Sequence, residues 1–407
     1  MITSVRFLVP AGIRDESRPS GGNVYDLELH QALSELGWTS HLLPVEGTWP
    51  RPSDEDRRSL ARTLDAQPAG STVLLDGLVA CGVPELMEAA AKRLRLVILV
   101  HMPLADDTGL DPAVARQLDA AERRSLRCAS SVVTTSRYTA GSIISRYDLP
   151  DDKVHVAVPG VYPEPEAVLG YGGDLLCVSA VHPHKGHPTL INALASLTDL
   201  TWNLRLVGSL ERDPGHVALL RGMIEEVGLT HRISLVGTLV GGELAAAYRR
   251  SDLLVLPSHG ETYGMVVTEA LSRAVPVYAS YVGGVPEAMG VVTSLNGAWR
   301  ERPGRLIPAR DSAAWAGALR EWLTDADLRD QQKELARWRR HSLPTWRATA
   351  MDVIEALYGR PSNWRGSRPT TVFTMPYPWP PGRSAFGETS EQPSGSGEIV
   401  QPSVRPN

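Results

Sequence analysis

The chain has 407 residues, 43% of them hydrophobic and 21% charged, with 41 basic against 46 acidic side chains. That is too long for one ordinary domain of about 100–200 residues and too apolar for a fibrous or wholly disordered protein, so two cores with an appendage are expected. A formal charge of −5 offers no cationic field for a polyanion and argues against nucleic acid as a partner.

Three scattered cysteines, Cys81, Cys128 and Cys177, spell neither a disulfide framework nor a zinc site. The apolar run in residues 1–12 is too short for a signal-peptide core. The longest apolar run, 94–105, contains Arg95, His101 and Pro103 and falls short of the roughly 20 residues a spanning helix needs. A cytoplasmic chain without a transmembrane segment is expected, with peripheral membrane association left open.

Short apolar runs alternate with stretches of helical period, the pattern of parallel strands joined by crossover helices and hence of an α/β fold. Strands are predicted at 5–9, 39–43, 72–75, 95–100, 131–135 and 154–158, with a first helix from about Val24 that Gly37 stops. Prolines and glycines over 161–172 mark a linker between a first unit, 1–160, and a second, 173–343. The second repeats the pattern with strands at 174–179, 202–207, 232–236, 252–256 and 275–279. Helical spacing continues beyond Ser312, breaks near Pro344 and resumes as a closing helix within 344–360, expected to pack back on the first unit. Residues 361–407 hold 9 of the 31 prolines and are expected to be a disordered tail, although Phe373, Tyr377 and Trp379 suit docking on the body or a partner groove.

The most informative stretch runs from Pro257 through Glu261-Thr262-Tyr263-Gly264-Met265-Val266 to Glu269. It follows a buried strand and opens a helix, where free amides and the positive end of the helix dipole favour a phosphate. The two carboxylates bracket the helix start, too far apart to share a proton, and suit the hydroxyls of a sugar or ribose. Complementing the dipole is the alternative role for both.

Glu261 to Glu269 resembles the ExxxxxxxE signature of retaining glycosyltransferases of family 4. Gly21-Gly22-Asn23, Val158-Pro159-Gly160, His182-Pro183-His184-Lys185-Gly186, Leu206-Val207-Gly208 and Gly283-Gly284-Val285-Pro286-Glu287 resemble that family's landmarks in order, over residues 1 to about 358. The resemblance implies a GT-B fold: two Rossmann-like domains with parallel sheets facing across a cleft, acceptor mainly on the first and donor on the second. It implies that Glu269 binds ribose hydroxyls, Glu261 the transferred sugar, the amides of Gly264, Met265 and Val266 the diphosphate, and Lys185 the leaving phosphate. Many members carry an arginine where this chain has Ala180. Arg212 is the candidate replacement, and a surface role suits it equally.

Ser179, Gly208, Leu239, Thr262 and Tyr263 complete the expected donor contacts, with Gly22 offering backbone amides from the other side. His101, at the end of a first-unit strand, is expected to touch the donor sugar or the attacking hydroxyl; a satisfied strand-end histidine is the alternative. His182, His184 and His187 form HxHxxH but lack an acidic or thiol partner nearby, and Asp54-Glu55-Asp56 and Asp325-Ala326-Asp327, neither of which follows a buried strand, suit helix starts or loops, so no metal is expected. The expected activity is transfer from a UDP-, GDP- or ADP-sugar to a glycan, lipid or small-metabolite hydroxyl, without a cofactor. A silent nucleotide-sugar-binding protein and an epimerase on the same fold are the alternatives.

Overall fold

A computed structural model describes residues 4–15, 20–107, 109–168, 170–294, 300–362 and 374–375. The first sheet contains β1 (Ser4–Pro10), β2 (Thr39–Val45), β3 (Thr72–Asp76), β4 (Arg95–Val100), β5 (Ser131–Thr134) and β6 (Val154–Val156), in the order β2-β1-β3-β4-β5-β6. All neighbours run parallel. Helices cover both faces, so β3 and β5 are buried throughout and read as continuous apolar runs rather than alternating ones.

The second sheet takes β7 (Asp174–Val178), β8 (Asn203–Val207), β9 (Ile233–Gly237), β10 (Leu253–Leu256) and β11 (Val277–Ser280). The chain then makes β12 (Val292–Ser294), β13 (Arg300–Glu301) and β14 (Gly304–Ile307), and β14 joins the sheet to give β14-β11-β10-β7-β8-β9. The sequence pattern did not announce β14, which is short and follows Pro303. A Cβ on Gly304 would lie 1.8 Å from the Val277 carbonyl oxygen, so only glycine admits this pairing. β12 pairs antiparallel with β13 and parallel with β15 (Thr374–Met375). Apart from residues 361–362 and β15, the expected disordered tail lies outside the described residues, as do Phe373, Tyr377 and Trp379; the Ser362 amide donates to Asp152 O on the first domain, and at β15 the chain pairs with β12.

The helix Gly21–Glu35 begins three residues before the apolar periodicity does, because the Ser20 hydroxyl caps it by accepting from the Asn23 amide. The helix Ser312–Thr324 buries Trp315, Leu319 and Trp322 in the second core. The helix Trp346–Tyr358 returns to the first domain, where Trp346, Ala350, Val353 and Leu357 join Phe7, Tyr25, Leu29 and Leu33 in one cluster. Each large side chain buried there contributes roughly 1.5–3 kcal/mol. The two crossings between domains run together: the Val161 amide donates to the Pro344 carbonyl, and a Cβ on Gly160 would strike the Trp346 nitrogen. No helix among the described residues is long and apolar enough to cross a membrane.

Candidate active site between the two domains

In each sheet the strand order reverses once, between β1 and β3 in the first and between β7 and β10 in the second. Loops leaving the carboxyl ends of such a pair diverge and open a crevice, which is where ligands bind in parallel α/β sheets. Lys185 follows β7 and Glu261 follows β10, so the two expected donor residues flank one switch point. Lys185 Nζ donates to Glu261 Oε1 at 2.5 Å, and the Ser258 hydroxyl donates to the same oxygen at 2.7 Å.

Close backbone packing holds both loops. Gly186, at φ +68°, has Pro257 O where a Cβ would stand, and the His259 amide donates to His184 O at 2.8 Å. Behind the Glu261 loop, the Gly284 amide donates to Glu261 O at 3.0 Å, and Cβ atoms on Gly283 and Gly284 would lie 1.8 and 2.2 Å from the carbonyl oxygens of Glu261 and Thr262. The glycine pair is therefore a steric requirement of the Glu261 loop.

Gly264 (φ +94°) precedes the helix Met265–Ser272, whose start has no side-chain cap. That leaves the amides beginning at Met265 and Val266 for an anion. Glu269, on the same helix, accepts a 2.7 Å hydrogen bond from Tyr248, and burial pushes its carboxyl above the usual range. Arg273 stacks 4.8 Å from the Tyr248 ring centroid and pairs with Glu164. Thr262 and Val266 are half-buried.

Tyr263, expected among the donor contacts, is only 3% exposed and packs with Leu256, Val267 and Val285. Its apolar ring completes the second core, so any donor contact it makes is through its backbone. Gly208, at φ +153°, sits against Ser179 O; the Ser179 hydroxyl pairs with His187 Nε2 at 3.1 Å. Leu239 is half-buried in the cluster that contains Val207. Arg212 is exposed; burial lowers the pKa of His182 and the Arg212 charge adds to it, which places Arg212 beside the Lys185 loop.

The first domain meets this edge directly. A Cβ on Gly21 would lie 3.7 Å from Met265 Sδ, so the first residues of the helices Gly21–Glu35 and Met265–Ser272 face each other across the cleft. Gly22 leaves room for the His101 ring, 3.2 Å from where its Cβ would be. His101 Nε2 is 2.8 Å from Asp26 Oδ1, and Tyr25 packs edge-on at 5.2 Å between centroids.

Asp26 and Asp76 were not singled out by the sequence reading, yet both are buried beside this histidine, and the three groups offer ligand atoms within 4.8 Å of one another. Burial and neighbouring Asp26 push Asp76 up to about 7. Burial lowers the His101 pKa, but the two acids override it and raise the value to about 9. The available signal was spacing: Asp26 is one helical turn after Gly22, hence on the same face. A second missed contact joins the domains, with the Glu287 carboxylate accepting from the Arg137 amide at 2.9 Å at the start of the helix Arg137–Tyr147.

The HxHxxH histidines have internal work. His182 Nδ1 accepts from the His184 amide, and His187 is buried against Ser179. Asp56 closes a capping box with Ser53, and Asp325 caps the helix Ala326–Arg340.

Residues 172–339 match the family described as glycosyl transferases group 1. D-inositol 3-phosphate glycosyltransferase of Streptomyces scabiei is 29% identical over 246 residues, 55% of this chain and 52% of that protein. The chain thus spans about half the length of the curated relatives it matches. Sucrose-phosphate synthase from Thermosynechococcus elongatus superposes with a TM-score of 0.70 at 19% identity, covering 88% of this chain and 98% of that one. Anabaena Alr3699/HepE in complex with UDP-glucose gives 0.68 at 16% identity, covering 87% and 99%. Residues 172–339 are thus similar to group 1 glycosyl transferases, within a chain whose two domains share the GT-B fold.

Proposed function

We propose that the protein is a retaining glycosyltransferase that moves a sugar from a nucleoside diphosphate sugar to an acceptor hydroxyl. The observation that carries the reading is the convergence of two helix starts, at Gly21 and Met265, on one point of the cleft. Two positive dipole ends facing each other repel unless an anion lies between them, and a diphosphate supplies that anion. Lys185 and Glu261 stand at the same edge, one suited to a phosphate oxygen and the other to sugar hydroxyls.

In this reading the sugar C1–phosphate oxygen bond breaks as the acceptor oxygen bonds C1 from the same face. The acceptor's proton passes to the departing phosphate, while Lys185 and the amides at Met265 and Val266 stabilise its charge. Glu269 holds the ribose and Arg212 stands in for the cation absent at Ala180. The UDP-glucose bound by the Anabaena neighbour supports trying uridine donors first, and the inositol 3-phosphate relatives support phosphorylated polyols as first acceptors.

Thermal-shift screening with UDP-, GDP- and ADP-sugars tests the donor, since a ligand at 100 times its Kd stabilises by about 2.7 kcal/mol. Proton NMR of the product's anomeric centre tests retention. Donor binding without nucleotide release would favour a silent binder, and an epimeric sugar would favour an epimerase.

A further inference from the structure

His101 stands at the mouth of the first switch point with one nitrogen already committed. Its Nε2 meets Asp26 Oδ1 at 2.8 Å. An ionised carboxylate only accepts hydrogen bonds, so Nε2 keeps its proton whether the ring is neutral or charged. Nδ1 is then the nitrogen left to meet a ligand and the one position that titrates.

The surroundings decide its state. From the helix Gly21–Glu35 come Asp26, fully buried with Oδ2 lacking a hydrogen-bond partner among the described residues, and the edge of the Tyr25 ring. From the end of β3 comes Asp76, 4% exposed, which also caps the following turn through the Leu78 amide. Gly22 packs against the ring without a side chain of its own, and the ring stays 19% exposed. Asp26 and the ring balance in charge only when the ring carries a proton on each nitrogen, because a lone buried carboxylate is costly, while burial raises Asp76 so that it can hold a proton of its own.

We propose that Asp26 and Asp76 are positioning residues that hold His101 as a doubly protonated ring, so that its Nδ1–H is offered to the bound sugar or acceptor as a fixed hydrogen-bond donor and His101 does not act as a base. The inference rests on the glycosyltransferase reading for its ligand, while the ring's protonation can be measured with no ligand present. The charge balance agrees with the direction of the shifts, His101 raised and Asp76 raised by burial beside Asp26. A histidine fixed this way orients a hydroxyl without accepting its proton, which leaves the departing phosphate as the acceptor of that proton. It also separates this site from a histidine–aspartate base, for which the same contact would serve a neutral ring with Nδ1 bare.

The test is NMR of the full chain carrying 15N-histidine, with His101 assigned by its loss in His101→Gln. At pH 7.5 both ring nitrogens of His101 should report as protonated, with the titration midpoint above 8. Asp26→Asn should lower that midpoint by at least one pH unit, and Asp76→Asn by less. With release of UDP from UDP-glucose as the probe, wild type should be level from pH 6 to 8. Asp26→Asn should lose about tenfold over that range and recover on acidification, and Asp26→Glu should restore the level profile.

A bare Nδ1 in the wild-type ring at pH 7.5 would overturn the proposal. So would an unchanged midpoint in Asp26→Asn, or activity lost to EDTA and restored by a divalent cation, which would make the three groups ligands. If UDP-, GDP- and ADP-sugars neither bind nor turn over while the ring is doubly protonated, the donor reading fails and the positioning of His101 stands.

Discussion

Lys185 Nζ donates to Glu261 Oε1 at 2.5 Å, joining two loops that lie 76 residues apart in the chain. The lysine side chain is 26% and the acid 14% exposed, so the pair borders solvent at the sheet edge. A donor with a phosphate for the lysine and hydroxyls for the acid satisfies both charges better than they satisfy each other.

Lys185→Ala is expected to lower kcat by about 10²–10³, the range for losing one donor to transition-state charge. Steady-state release of nucleoside diphosphate measures it. A change confined to KM would show that the lysine binds ground and transition states equally.

Glu269→Gln and Tyr248→Phe should act together, since the Tyr248 hydroxyl orients the Glu269 carboxylate. Each is expected to raise the donor KM about tenfold, equivalent to roughly 1.4 kcal/mol of lost binding, with kcat little changed. If the double variant loses no more than either single one, the two act as a unit.

Gly284→Ala forces a Cβ against Thr262 O, 2.2 Å away, and should cost roughly 1–3 kcal/mol while weakening donor binding through the Glu261 loop. Gly222→Ala is the counter-case. Gly222 lies within the helix Pro214–Glu226 with open space at its Cβ position, so alanine should stabilise by about 1 kcal/mol. Chemical denaturation of both variants measures the difference in sign.

Buried titratable groups predict opposite pH responses in the two domains. Burial pushes Glu122, which accepts from the Leu104 amide and Tyr147, up to about 7 from its ordinary 4.5. The folded chain then holds that proton more tightly, and this contribution to stability falls as pH rises from about 4.5 to about 7. Burial pushes His187 down to about 3 from 6.5, so the unfolded chain protonates first and the contribution falls as pH drops below about 6.5. In melting curves across this range, Glu122→Gln should flatten the first slope and His187→Gln the second.

Residues 172–339 match the group 1 glycosyl transferase family model, but much of the architecture was already legible in local pattern. Buried parallel strands leave continuous apolar runs, crossover helices leave a period near 3.6, and a helix start after β10 leaves Glu261, Gly264 and Glu269 at readable spacings, because each depends on neighbours in sequence. β14 escaped because a short strand beside Pro303 has too few residues to show a period.

Only the tertiary structure decided which groups meet. Asp26, Asp76 and His101 come from three separate segments, and Glu287 reaches the helix start at Arg137 from the other domain. Tyr263 lies inside the signature yet turns into the core, because the Glu261 loop is fixed by the distant glycines Gly283 and Gly284 rather than by its own residues. Periodicity encodes which face of an element is buried; the partners brought to that face depend on how whole sheets and helices pack, and the charge state of a group such as His101 depends on those partners.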